Sequence, residues 1–150
     1  MDIKGKKIAI LATNGFEQAE LEVPRDRLKQ AGATVDVISL AAGQINPDLL
    51  RLEPKALKFI KDIFEAKKIV AAVCHAPWLL IETGIAKGRK MTSYKSIKTD
   101  VVNAGADWQD EAVVVDQGVI TSRNPGDLEA FSAKIIEEVK EGRHLQRSAA

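Results

Sequence analysis

The sequence predicts an α/β fold in which a mostly parallel sheet is covered by helices on both faces. Three observations predict it. Short runs that are apolar nearly throughout recur along the chain, and amphipathic segments at helical spacing separate them. With 45% hydrophobic and 29% charged positions over 150 residues, the chain suits one soluble domain, residues 1–150, with a sizeable core.

Ile8-Ala9-Ile10-Leu11-Ala12 follows two lysines and precedes Asn14-Gly15, which predicts a strand buried on both faces and then a turn. From Gln18 to Gln30 the apolar positions fall at helical spacing, with Pro24 placed to kink the helix and Gly32 closing it. Thr34 to Leu40 reads as a second strand. Asn46-Pro47-Asp48 opens a second helix whose stripe runs through Leu49, Leu52, Ala56, Leu57, Ile60 and Phe64. Ile69 to Val73 is a further buried strand, and a short helix over Trp78 to Ile81 ends near Gly84. Val113 to Asp116 and Val119 to Ser122, joined by Gln117-Gly118, predict a hairpin. A last helix covers about 127–140. The stretch from Gly142 to Ala150 offers little to bury and predicts a loose tail.

Composition excludes several classes of function. The 22 Lys and Arg are interleaved with 21 Asp and Glu, so no basic stripe awaits a nucleic acid. No apolar run approaches the roughly 18 residues of a membrane span, and the polar start Met1 to Lys7 lacks the apolar region of a signal peptide. A cytoplasmic location is expected. Two histidines and one cysteine form no recognisable metal-ligand spacing, and Gly84 to Gly88 lacks the arrangement of a dinucleotide loop. No metal and no cofactor is expected. Trp78 and Trp108 read as packing anchors.

The one cysteine, Cys74, cannot form an internal disulfide. It falls where a buried strand meets the next helix, the carboxyl edge at which open parallel sheets collect their chemistry. Ala72 and Ala76 flank it at two residues on either side, the spacing of a nucleophile elbow with alanines where that motif carries glycines. A sulfur there lies near a helix amino terminus, whose unpaired N–H groups favour the thiolate. A cysteine can equally be a small hydrophobe ending a strand. The elbow spacing and the adjacent His75 favour the nucleophile.

These residues also carry a family resemblance. Ala72-Val73-Cys74-His75-Ala76-Pro77 resembles the A-x-C-H-G-P elbow of the PfpI branch of the DJ-1/PfpI superfamily, the branch of intracellular proteases and general stress proteins. Asn14 to Leu21 is similar to its G-F-E-x-x-E-L block, and Gly88 to Tyr94 to its G-R-x-x-T-S stretch. Val113 to Asp116 and Thr121 to Leu128 are similar to its V-V-V-D and T-S-R-x-P-x-D-L ending. The blocks stand in the family's order and span nearly the whole chain. The resemblance implies a flavodoxin-like three-layer α/β/α sandwich, of the kind shared with class I glutamine amidotransferases.

It also implies roles. Glu17 matches the glutamate that, protonated in a desolvated site, donates a hydrogen bond to the sulfur; read from the sequence alone, it is an acid at a helix start. His75 would be the neighbouring base, or a histidine that merely polarises the site. Asp48 matches the acid that reaches the histidine of a neighbouring subunit, which implies a homo-oligomer; otherwise it is a favourable first-turn acid. The family inserts a hairpin and a core strand ending in L-P-G-G between strand two and the Gln44 to Asp48 block, whereas here Leu40-Ala41-Ala42-Gly43 passes straight on. One core strand is therefore absent, and only Gly43 could join the His75 amide as an oxyanion donor. A sheet short of an interior strand must close the gap, exchange segments with a second chain or leave edges open. By resemblance, the expected activity is cysteine chemistry on small carbonyls of the glyoxalase or deglycase type. Peptide hydrolysis by the same pair and a redox-sensing role for Cys74 in a stress protein or chaperone are the alternatives.

Overall fold

A computed structural model describes residues 2–12, 18–38 and 47–149. In it β1 (Lys7–Leu11) and β2 (Thr34–Ile38) pair in parallel, with Lys7 opposite Thr34 and Leu11 opposite Ile38. The helix between them, α1 (Gln18–Gln30), keeps Pro24 inside it and buries Pro24 and Leu28.

The second helix of the sequence reading is two helices. α2 (Pro47–Leu50) ends after one turn and α3 (Pro54–Glu65) begins afresh, because Pro54 has no N–H to continue the first helix and suits the first turn of the next. Glu53 caps α3 by accepting from the Lys55 N–H at 3.1 Å. Leu52, counted in the apolar stripe, sits in the break and is exposed.

β3 (Val70–Val73) runs into the elbow, and α4 (Pro77–Glu82) leaves it. Two short elements follow that the sequence pattern does not announce: β4 (Lys90–Met91) pairs in parallel with β5 (Asp107–Trp108), and α5 (Lys98–Asn103) connects them. β6 (Val113–Asp116) and β7 (Val119–Ser122) form the antiparallel hairpin, β7 pairs in parallel with β3, and α6 (Leu128–Glu141) closes the order.

The core lies in two halves, one on each face of the central strands. Ala56, Ile60 and Phe64 of α3 pack with Leu79, Leu80, Met91 and Val101 on one side. Leu28 of α1 packs with Ile3, Leu128, Phe131 and Ile135 on the other. Val119 faces the first half and Ile120 the second, the period of two that a strand buried on both faces requires. The fold is thus the expected three-layer α/β arrangement. Among the described residues, however, β1 and β2 form a sheet of their own beside the order β3-β7-β6. Among the described residues no strand joins β1 to β3.

The expected loose tail is a correction. Arg147 is only 3% exposed: its guanidinium donates to the carbonyls of Phe64, of Lys68 at 2.9 Å and of Gln117 at 3.3 Å. It also lies 4.0 Å from the centroid of the Phe64 ring. Burial, with Arg89 nearby, pushes its pKa down to about 10, so it remains cationic at neutral pH. Arg89 donates to the Ser148 carbonyl at 2.8 Å, and Lys67 Nζ donates to the Arg147 carbonyl at 2.9 Å. Hydrogen bonds to backbone carbonyls, rather than apolar burial, hold the segment down.

The hairpin turn takes part in this closure. Gln117 and Gly118 have φ of 51° and 79°, the two positive values of a type I′ turn. A Cβ on Gly118 would lie 2.5 Å from Cδ2 of His144, whose Nε2 is bonded to Glu138 at 2.8 Å. Gly118→Ala is expected to cost about 1–2 kcal/mol from the left-handed backbone alone. The displacement of His144 adds to that cost. Thermal denaturation checks it, and an unchanged midpoint would show that the His144 contact bears no weight.

Candidate active site

The site begins with a strained backbone. Cys74 has φ of 63°, a left-handed conformation that costs a non-glycine residue about 1–2 kcal/mol. Two hydrogen bonds hold it there. Its N–H donates to the Ser122 carbonyl at 3.1 Å, and its carbonyl accepts from the Tyr94 N–H at 2.8 Å. β7 and the segment after β4 therefore clamp the turn from both sides. The neighbouring alanines fit this tight passage: Ala72 is 6% exposed, and Pro77 opens α4 directly behind the elbow.

The turn brings the two central expected residues together. Cys74 Sγ lies 3.1 Å from His75 Nδ1, and His75 Nε2 lies 3.2 Å from Ser96 Oγ. A hydroxyl both donates and accepts, so Ser96 can serve either tautomer of the ring. The imidazole stacks on Tyr94, with centroids 4.9 Å apart, and meets Trp78 at 5.3 Å. Trp78 is held by its indole N–H to Asp100 at 2.9 Å, and the Arg51 guanidinium lies 5.2 Å from the ring centroid. Trp78 is thus a packing anchor, as expected, but what it anchors is the site's histidine.

Desolvation by these neighbours lowers the pKa of His75 below its ordinary 6.5, so the ring is neutral at neutral pH. A neutral imidazole 3.1 Å from a thiol can take its proton. The sulfur is half-buried and lines a cavity of about 850 Å³ that Tyr94, β1 and β3 also border. A small electrophile can therefore reach it.

A pH dependence follows from the sign of that shift. Turnover is expected to fall only once the medium is more acidic than pH 6.5, as His75 becomes protonated. Between the lowered pKa and 6.5 the unfolded chain binds more protons than the folded one. Any stability linked to His75 is therefore complete above 6.5 and declines below it. A pH profile of kcat/KM checks the first point, and an acid limb centred above 6.5 would contradict it.

The other expected residues stand as follows. Asp48 lies in the single turn of α2, is exposed, and forms no hydrogen bond or ion pair with His75 among the described residues. Glu17 and Gly43 lie outside the described residues. Ser96 and Tyr94 carried no expected role; Tyr94 stood within the Gly88 to Tyr94 block, while Ser96 is an ordinary polar residue until the fold sets it against His75. Elsewhere, Glu138, Glu141 and His144 present ligand-type atoms within 4.8 Å of one another, a grouping that α6 and the docked C-terminal segment create. No described helix is long and apolar enough to cross a membrane.

A cysteine on a strained strand-to-helix turn, paired with a histidine at the edge of an α/β sheet, defines a nucleophile-elbow protein. The DJ-1/PfpI family model matches residues 41–138. The chain is 36% identical to the putative cysteine protease YraA of Bacillus subtilis, a match covering 90% of this chain and 99% of the relative. It is also 36% identical to deglycase PfpI of Pyrococcus furiosus, over 89% of this chain and 99% of the relative. The crystal structure of Drosophila melanogaster DJ-1beta superposes with a TM-score of 0.80 at 25% identity, covering 94% of this chain and 95% of that one. The chain belongs to the DJ-1/PfpI family, in its PfpI branch. The alignment with YraA extends over 167 residues, more than the 150 of this chain, so the relative carries residues that have no counterpart here.

Proposed function

We propose that the protein is a stress-protection enzyme that acts on small reactive carbonyls through covalent chemistry at Cys74. One observation carries this reading: a sulfur on a clamped left-handed turn, 3.1 Å from a neutral imidazole and open to a cavity. The deglycase name of the Pyrococcus relative supports the substrate class.

With methylglyoxal the steps balance as follows. His75 takes the thiol proton, and the thiolate adds to the aldehyde carbon, giving a hemithioacetal whose oxyanion is protonated. The His75 amide is the proposed donor to that oxyanion, with the Gly43 amide as its proposed companion. A base removes the proton from the former aldehyde carbon and the resulting enediol is reprotonated at the neighbouring carbon, leaving a lactoyl thioester. Water hydrolyses the thioester to lactate and restores the thiol, so one water is consumed and no electrons leave the system. Glu17 is the proposed carrier of the proton between carbons. Asp48 is proposed to orient the His75 of a neighbouring subunit in a homo-oligomer.

The test is enzymatic measurement of lactate formed from methylglyoxal, run beside release of the free thiol from the hemithioacetal adduct of N-acetylcysteine and methylglyoxal. Formation of either product, lost in Cys74→Ala, is the expected result. Neither product, with the thiol intact by iodoacetamide labelling, would remove the proposal. Peptide hydrolysis by the same pair is the second reading, favoured by the cavity of about 850 Å³ beside Cys74 and the protease name of the Bacillus relative. Cleavage of a fluorogenic peptide without lactate formation would select it. Stable peroxide oxidation of Cys74 without either activity would select the redox sensor.

A further inference from the structure

The cavity that reaches Cys74 is bounded along its length by two strand edges. The parity of the backbone hydrogen bonds identifies which groups face it. Lys6 accepts from Thr34 through its carbonyl and Ala12 donates to Ile38, so the even-numbered residues of β1 turn toward β2. A strand directs the backbone groups of successive residues to opposite edges, so Lys7, Ala9 and Leu11 turn away from β2. On β3, Val70 donates to Gly118 and Cys74 to Ser122, so the even residues turn toward β7. Ala71 and Val73 turn the other way. Ala9 and Ala71 are both exposed although each sits within a strand of the central layer. Both strands line the same cavity of about 850 Å³.

Its chemistry is that of a strand site. The walls are aliphatic, with Ile8, Ile10, Ile60 and Ile63 among them, while Lys6 and Lys7 stand at the amino end of β1 and Lys68 and Arg143 at the amino end of β3. Against these four cations, Glu20 is the one carboxylate among the described lining residues. We propose that the slot between β1 and β3 accepts, by strand addition, an extended aliphatic segment of another polypeptide that carries acidic residues at its end. Such a segment would bond to the Ala9 amide on one edge and the Ala71 amide on the other, and continuous aliphatic side chains would fill both faces. The carboxylates would meet the lysines and Arg143. The slot and the approach to Cys74 share one cavity, but the proposal does not rest on the substrate assigned to Cys74.

The probe is a fluorescein-labelled synthetic peptide of five alternating isoleucines and valines bearing two aspartates, with the aspartates at either terminus in separate preparations. Saturable anisotropy with one of the two is expected, together with slowed hydrogen exchange of the Ala9 and Ala71 amides. A twin peptide N-methylated at alternate residues keeps the side chains and loses donors, and at least a tenfold weaker affinity is expected from it. Lysines in place of the aspartates should weaken binding similarly. Equal binding of the methylated twin would show mere apolar adsorption and overturn the proposal, as would no binding of either peptide. Slow exchange of Ala9 and Ala71 before any peptide is added, with a dimer in sedimentation, would assign the slot to a second copy of this chain instead. Ala9→Pro, which removes a donor facing away from β2, should lose the peptide; the methylated twin decides the matter if that variant fails to fold.

Discussion

Cys74→Ala is expected to reduce turnover of any carbonyl or peptide substrate by at least a thousandfold, to the level of the uncatalysed reaction, as removal of the nucleophile does where nucleophile and base act as a unit. The fold should survive, because alanine keeps the clamp between the Ser122 carbonyl and the Tyr94 N–H. Cys74→Gly separates chemistry from strain. Glycine adopts φ of 63° without the penalty, so this variant should be equally inactive yet more stable, by about 1 kcal/mol. Lactate formation and thermal denaturation of both variants provide the check. A Cys74→Ala protein with wild-type turnover would refute the mechanism, and a Cys74→Gly protein less stable than Cys74→Ala would refute the strain.

Arg147→Ala should produce the largest loss of stability among single substitutions of charged residues. It removes the guanidinium donor from the Lys68 and Gln117 carbonyls and the second donor from the Phe64 carbonyl, which keeps the Lys67 N–H at 2.9 Å, and it removes a cation 4.0 Å from the centroid of the Phe64 ring, all at a position 3% exposed. Carbonyls that lose their donor away from water cost about 1–3 kcal/mol each before relaxation, and the one at buried Phe64 keeps the Lys67 N–H. Water reaching some of them limits the sum to about 3 kcal/mol, a fall in melting temperature on the order of 10 °C for a domain of this size. Arg147→Lys keeps the charge but not the fork, and should recover only part of the loss. A midpoint unchanged in Arg147→Ala would show that these hydrogen bonds form no part of the folded state in solution.

These two residues also show what can be read from a sequence. Cys74 was legible because its signal is local: small residues two places away, a histidine next to it and an apolar strand before it. β1, β3 and β7 were legible for the same reason, since a buried strand writes a continuous apolar run. Arg147 was not, because a charged residue among polar neighbours looks solvated, and its partners lie 79 and 83 residues earlier in the chain. Ser96, Tyr94 and Trp78 reach His75 by tertiary packing, which leaves no spacing to detect. The break at Pro54 was hidden by an apolar stripe that continues across it, and β4 and β5, two residues each, are too short to show a period. The lack of the family's L-P-G-G block was visible in the sequence, but the cavity bordered by Ala9 and Ala71 arises only from the fold.

The segment around Arg147 bears on how the protein is made. Translation proceeds from the amino end, so the guanidinium is produced after every carbonyl it binds, and those of Lys68 and Gln117 must keep their water until it emerges from the ribosome. The nascent chain can assemble its strands and helices early, while the latch across α3 and the hairpin closes after them. Until that moment a partly made polypeptide stays more open to chaperones and proteases than the finished one.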